Sequence, residues 1–273
     1  MRNEDLVEQF REMKQRRERV TALTAYDYPT ARLLDESGLD VILVGDSLGM
    51  VVLGYEDTTH VLLNEILHHT RAVARGVKRA LLVADLPIHT YDTPEQALQT
   101  ARQLIEAGAR AVKLEGGLSH VAQIEAITSA GIPFMAHIGM LPQSVREEGG
   151  YKVKGRSREQ AEALLADARA VQEAGAFSIV LEIVAPDTAK MISHAVNIPT
   201  IGIGSGNGCD GEILVTHDLI GLFPWFTPKF VAQEAHVAEQ IRAAATAFVD
   251  RTRTPPCHSE RNEVESRNPV AEA

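Results

Sequence analysis

The sequence is short of cysteine, of tryptophan and of positive charge. Its 273 residues include two cysteines, Cys209 and Cys257, and one tryptophan. Two thiols cannot build a disulfide framework or a four-cysteine zinc site, and such sparing use of cysteine suits a reducing compartment. Lysine and arginine number 27 against 37 aspartates and glutamates, a formal net charge of −10. That balance disfavours nucleic acid or an acidic membrane as the main partner. No apolar run approaches the ~20 residues of a membrane span, and the N-terminus lacks the apolar core of a signal peptide. The cytoplasm is the expected location. What remains is ordinary globular composition, 45% hydrophobic and 23% charged, which excludes wholesale disorder, collagen and coiled coil.

The chain reads as strand then helix, repeated. Leu6, Val7, Phe10 and Met13 fall at helical spacing and predict an amphipathic helix over Glu4 to Arg17. Apolar runs predict strands at Val20–Ala25, Val41–Val44, Leu81–Ala84, Ala111–Leu114, Pro133–Ile138, Ser178–Ile183, Pro199–Ile203 and Ile213–Val215. Helices are predicted between them, with Pro29 opening one that Gly38 stops. Thr93 and Ser119 are expected as N-caps, and a last helix over about Val231 to Val249. Near-continuous apolar strands alternating with helices imply a parallel sheet covered on both faces. Eight units in about 250 residues favour a closed eight-stranded (β/α)8 arrangement, the TIM barrel, over an open doubly wound sheet. Residues 1–250 then form one α/β domain. Arg251 to Ala273 is polar, carries Pro255-Pro256, and is expected to be a disordered tail.

Ionisable residues gather where the predicted strands end. Asp46 and Ser47 follow the second strand, Asp85 ends the third, and Lys113 and Glu115 finish the fourth. His137 and Glu182 lie late in the fifth and sixth. Barrel enzymes place their chemistry at these C-terminal ends, and buried charge needs pairing or a metal. Asp46, Asp85 and Glu115 are hard oxygen ligands, a set suited to Mg²⁺; the alternative is that each caps a helix or pairs with a cation. Lys113 and Glu115 are two apart and share a face, so Lys113 either binds a substrate carboxylate, forms a Schiff base, or pairs with Glu115. The apolar neighbours of Glu182 should raise its pKa toward general-base work near neutrality. His137 is either a hydrogen-bonding partner for substrate or a satisfied core histidine. The run Gly202 to Gly208 fails the dinucleotide fingerprint and reads as a phosphate loop or a tight turn. His68 and His69 read as surface positions on a helix.

Several stretches together resemble the ketopantoate hydroxymethyltransferase family: Leu23-Thr24-Ala25-Tyr26-Asp27, Val44-Gly45-Asp46-Ser47-Leu48-Gly49, Ala84-Asp85-Leu86-Pro87, Val112-Lys113-Leu114-Glu115-Gly116-Gly117, Ala136-His137-Ile138-Gly139, Gly150-Tyr151-Lys152-Val153 and Gly202-Ile203-Gly204-Ser205-Gly206, followed by Cys209-Asp210-Gly211. The likeness spans roughly Thr21 to Phe230. It implies a TIM barrel of the phosphoenolpyruvate/pyruvate-binding superfamily, Mg²⁺, 5,10-methylenetetrahydrofolate as co-substrate, and a homodecamer. It implies hydroxymethyl transfer to 3-methyl-2-oxobutanoate. By the same likeness Asp46, Asp85 and Glu115 belong to the metal site, Asp46, Ser47, Asp85 and Lys113 contact substrate, and Glu182 is the base. Two positions depart from the family's usual pattern: Ile88-His89-Thr90-Tyr91 stands where it often reads Phe-Gly-Ser-Tyr, and Glu212 where it usually has Gln. The rivals are a Mg²⁺-dependent carbon–carbon lyase of the isocitrate lyase type, which would need a Lys-Lys-Cys-Gly-His motif that this sequence lacks, a Schiff-base aldolase using Lys113, and a non-catalytic metabolite-binding barrel.

Overall fold

A computed structural model describes residues 3–254. Helix α1 (Asn3–Arg16) precedes β1 (Val20–Thr24), α2 (Tyr28–Glu36), β2 (Val41–Val44), α3 (Leu48–Val51), α4 (Leu63–Gly76) and β3 (Leu81–Asp85). Then come α5 (Pro94–Glu106), β4 (Ala111–Glu115), α6 (Val121–Ser129), β5 (Phe134–Gly139), α7 (Val145–Glu148), α8 (Arg158–Glu173) and β6 (Ser178–Glu182). The chain ends with α9 (Pro186–Ala195), β7 (Thr200–Ile203), β8 (Gly211–Leu214), α10 (Thr216–Leu219) and α11 (Val237–Arg253). The strands close in sequence order into one parallel barrel, with β8 returning to β1 through Val20↔Gly211 and Ala22↔Ile213.

The strand period of two divides the apolar residues into two layers. Leu43, Leu81, Val83, Ala111, Met135, Val180 and Ile201 fill the barrel interior. Ile42, Val44, Leu82, Val112, Leu114, Ile179 and Leu181 pack outward against the helices. Both faces are covered, which is why the strands read as continuous apolar runs. At the N-terminal end, α1 acts as a stopper. Phe10 meets Phe177 edge-on at 5.5 Å, and Lys14 Nζ donates to the carbonyls of Ser193 and Ile198 at 2.8 and 2.9 Å and to Asp210 Oδ2 at 2.9 Å. The C-terminal end stays open, and there the interior positions turn from apolar to charged.

Caps follow the sequence at Thr93, which accepts from the Gln96 N–H at 3.2 Å, but not at Ser119. Ser119 Oγ instead meets His120 Nδ1 at 2.9 Å, inside a 3-10 turn before α6. The last helix starts six residues later than its apolar pattern predicts, because the preceding segment is tied to α10. The Glu234 N–H donates to the Leu219 carbonyl at 2.8 Å, and the Val237 N–H to the Ile220 carbonyl at 3.0 Å. Helix α11 continues past Asp250 to Arg253, so the first three residues of the expected tail are helical. Residues 255–273, including Cys257, lie outside the described residues.

Candidate active site

Asp46, Ser47, Asp85, Lys113, Glu115, His137 and Glu182 all line one cavity of about 740 Å³ at the C-terminal mouth. The register explains the convergence. Asp85 pairs with Lys113, and Glu115 with His137, across adjacent parallel strands. Each lies on the interior face of its strand, one or two steps beyond the last interior apolar residue. Glu182 sits opposite Gly139. A Cβ at Gly139 would come within 2.4 Å of the Glu182 carbonyl, and its φ of +104° suits glycine. Immediately after Glu182 the chain leaves the strand through Ile183 at φ +48°. A left-handed β-branched residue is strained, of order 1–3 kcal/mol, and such strain persists where the surroundings enforce it.

The charges are held in a connected array. Lys113 Nζ lies 3.0 Å from Asp85 Oδ1 and 3.3 Å from His137 Nδ1. Lys113 therefore pairs with Asp85 and not with Glu115, the ion-pair partner its sequence position suggests. The Asp46 N–H donates to Asp85 Oδ2 at 3.2 Å. Ser47 Oγ shares a 2.8 Å hydrogen bond with the Tyr26 hydroxyl. His137 Nε2 approaches Glu182 Oε2 to 3.2 Å without the alignment of a hydrogen bond, so His137 is not a satisfied core residue. An ammonium can only donate, so His137 Nδ1 accepts from Lys113 and the imidazole proton sits on Nε2, facing Glu182.

Asp46, Asp85, Glu115 and Glu182 gather around the Lys113 ammonium in this cavity. Burial, and then the charge of Asp85, push Asp46 up to about 7. Burial and Asp46 hold Glu115 well above the usual carboxylate range. Burial raises Glu182 to about 7, with Lys113 opposing. Burial also works against the Lys113 charge, but Asp85, Glu115 and Asp46 outweigh it and keep the lysine protonated. Burial and Lys113 together push His137 well below its ordinary value, so it is neutral.

Gln143 joins these groups without any sequence signal to mark it. It stands in a 3-10 turn (Pro142–Ser144) after β5. Its Nε2 donates to Asp46 Oδ2 at 2.8 Å and to the Leu86 carbonyl at 3.1 Å, its N–H donates to Glu115 Oε2 at 3.0 Å, and its Oε1 accepts from the Tyr91 hydroxyl. A neutral side chain in an irregular loop carries no periodicity; only the flanking Pro142 marks the turn.

The model of the ketopantoate hydroxymethyltransferase family matches residues 5–256. The chain belongs to this family. Relatives named 3-methyl-2-oxobutanoate hydroxymethyltransferase include one from Enterococcus faecalis, 50% identical over 89% of this chain and 90% of its own length. Another, from Moorella thermoacetica, is 52% identical over 90% of this chain and 92% of its own. Among solved structures, phosphoenolpyruvate phosphomutase from Streptomyces platensis superposes with a TM-score of 0.62 at 15% identity, covering 90% of this chain and 87% of that one. For 2,3-dimethylmalate lyase, a PEP mutase/isocitrate lyase superfamily member, the TM-score is 0.59 at 18% identity, with coverages of 94% and 91%. These two share the barrel.

The family match runs from α1 to residue 256, wider than the Thr21–Phe230 span of the motifs and beyond Asp250. At the departing loop, His89 takes the position where the family often has glycine and adopts φ +63°, while Tyr91 still reaches Gln143. Glu212 is exposed and does not line the cavity, so it adds no charge there. The glycine-rich run is a tight turn: Ser205 Oγ donates to the Leu181 carbonyl at 2.7 Å and accepts from the Val184 N–H at 2.9 Å. His68 is exposed, whereas His69 Nδ1 donates to the Tyr26 carbonyl at 2.6 Å.

Proposed function

We propose that this chain transfers a hydroxymethyl group from 5,10-methylenetetrahydrofolate to 3-methyl-2-oxobutanoate, giving 2-dehydropantoate. The observation that carries the reading is the convergence of Asp46, Asp85, Glu115 and Glu182 on Lys113 in a single cavity, in a chain half identical to enzymes of that name.

Asp46, Asp85 and Glu115 fit a hard divalent cation. Glu115 Oε1 is buried with no hydrogen-bond donor, the negative charge is in excess, and an oxygen-only set favours Mg²⁺. Among the described residues no three His, Cys, Asp or Glu side chains are drawn together as a finished coordination shell. Bound there, Mg²⁺ would supply a Lewis acid that withdraws charge from the 2-oxo group.

The chain's own groups do the rest. Lys113 and Ser47 take the substrate carboxylate, with Lys113 as the fixed positive charge. Glu182, raised to about 7, takes the proton from C3. Neutral His137 offers its Nε2–H toward Glu182 and the substrate. The enolate carbon then forms a C–C bond to the folate's one-carbon unit, whose C–N bonds to N5 and N10 break; water supplies the hydroxyl oxygen, and tetrahydrofolate leaves carrying one proton from water and the C3 proton by way of Glu182.

A Schiff-base role for Lys113 is disfavoured, since three carboxylates keep it protonated and a nucleophilic amine must be neutral. The lyase reading lacks its motif, and the relatives at 50% and 52% identity carry the transferase name. Self-association is part of the proposal, and with it the homodecamer. Helix α11 leaves Ile241, Phe248 and Val249 exposed, an apolar face uncovered in the single chain. No described helix is long and apolar enough to cross a membrane, and a cytoplasmic setting completes the reading.

Mass spectrometry of protein incubated with both substrates and Mg²⁺ tests it. Metal-dependent gain of a hydroxymethyl group is the expected result. No product from folded, metal-loaded protein would overturn it.

A further inference from the structure

Asp218 has no part in the chemistry above, yet it lines the same cavity. It lies on α10, only 7% exposed. Its carboxylate receives no hydrogen bond and pairs with no cation among the described residues. Burial alone pushes it up to about 6. Nothing about its position is loose. The Thr216 N–H donates to Thr24 Oγ1 at 3.1 Å, and Thr216 Oγ1 donates to the Thr24 carbonyl at 2.6 Å, so α10 is tied to the end of β1. Asp218 acts electrostatically on Tyr26, the partner of Ser47, which places it on the Ser47 side of the cavity. A fixed, buried, unpartnered carboxylate is costly unless a donor arrives from outside the chain.

The wall beside it is aromatic. Phe223, Phe226 and Phe230 line the mouth, with Phe226 and Phe230 60% and 40% exposed. Phe230 lies over Gly204, where a Cβ would come within 2.8 Å of the ring. Flat apolar surfaces beside a two-oxygen acceptor match a flat heteroaromatic ring with two adjacent N–H donors on one edge.

We propose that Asp218 accepts the N3–H and 2-amino protons of the folate's reduced pterin, while Phe223, Phe226 and Phe230 hold the ring. This rests on the transferase reading, and it assigns the co-substrate's docking to the β8 end of the barrel, next to the Ser47 side of the cavity that receives the 2-oxo acid.

Calorimetric titration of the full-length protein with tetrahydrofolate tests the assignment. Asp218→Asn should bind at least tenfold more weakly, because one amide N–H then faces a donor. An analogue lacking the 2-amino group should bind wild type at least tenfold more weakly than tetrahydrofolate does, and should lose that handicap in Asp218→Asn. Exchange of the C3 proton of 3-methyl-2-oxobutanoate, run without folate, should persist in the variant. Unchanged tetrahydrofolate affinity in Asp218→Asn, or exchange lost in proportion to affinity, would overturn the proposal. Should the variant not fold, the analogue on wild type decides: equal affinity with and without the 2-amino group overturns it. Failure of the transferase reading looks different, since wild type itself would then not bind tetrahydrofolate.

Discussion

Gln143 shows how much of the site depends on one uncharged side chain. It fixes Asp46 through its amide and Glu115 through its backbone N–H. If Asp46 and Glu115 hold the cation as proposed, removing such an outer partner should cost about 10–100-fold in activity or metal affinity. Gln143→Ala should fall in that range for turnover, with a raised Mg²⁺ requirement in a metal titration; wild-type Mg²⁺ dependence would contradict this. As the proposed base, Glu182 should set a pH profile. With a pKa near 7 it is mostly protonated at lower pH and cannot act as base. C3 proton exchange should therefore rise with pH, and a bound dication should move the midpoint below 7 because it favours the charged carboxylate. A rate that falls between pH 5 and 8 would contradict the assignment. His89 sits at φ +63° in a loop where glycine would carry no Cβ penalty. His89→Gly should leave stability unchanged or raise it by up to about 1 kcal/mol in urea unfolding.

At the scale of elements, α2 is clasped to the turn that leads into β3. Asp35 is buried and accepts from the backbone N–H groups of Lys78, Arg79 and Ala80 at 3.1, 3.0 and 2.8 Å. Burial opposes its charge, but those three donors prevail and hold its pKa below the ordinary carboxylate value. A depressed folded pKa gives stability that is present above the unfolded value of about 3.9 and lost as pH falls through the folded one. Asp35→Ala should cost about 2–3 kcal/mol, since it strands buried donors, and the deficit should shrink at acid pH.

The same scale explains what was legible in the sequence. β2 matches its apolar run residue for residue, because a strand covered on both faces needs no polar alternation. Asp46, Asp85, Lys113, Glu115 and Glu182 stood out because charge beside such a run is costly to bury without a partner or a metal. The short helices α3, α7 and α10 span four residues each, too few to show a helical period. Asp218 was hidden on one of them, and Gln143 in a comparable turn.

For the whole molecule, the site is a stored electrostatic cost. Asp46 and Glu182 titrate near 7 in the fold against about 4 when unfolded. Their raised folded values mean that the metal-free protein loses stability as pH rises from about 4 through about 7. A bound dication relieves that cost. At 100 times its dissociation constant, Mg²⁺ should add about 2.7 kcal/mol, some 5–10 °C in Tm for a chain of this size. Glu115→Gln should stabilise the metal-free protein and shrink the Mg²⁺ response, both readable by thermal unfolding. At this scale too, α11 should mediate assembly. Phe248→Glu should shift the protein toward smaller species in sedimentation velocity, and an unchanged profile would place the interface elsewhere.

Proton exchange at C3 of 3-methyl-2-oxobutanoate in D₂O, followed by NMR with Mg²⁺ and no folate, tests the central claim that the buried carboxylate set makes the substrate carbon acidic. Wild type should exchange, and should stop when a chelator is added. Glu182→Gln should exchange about 10²–10⁴-fold more slowly while still binding the substrate. Exchange at the wild-type rate in that variant would contradict the account.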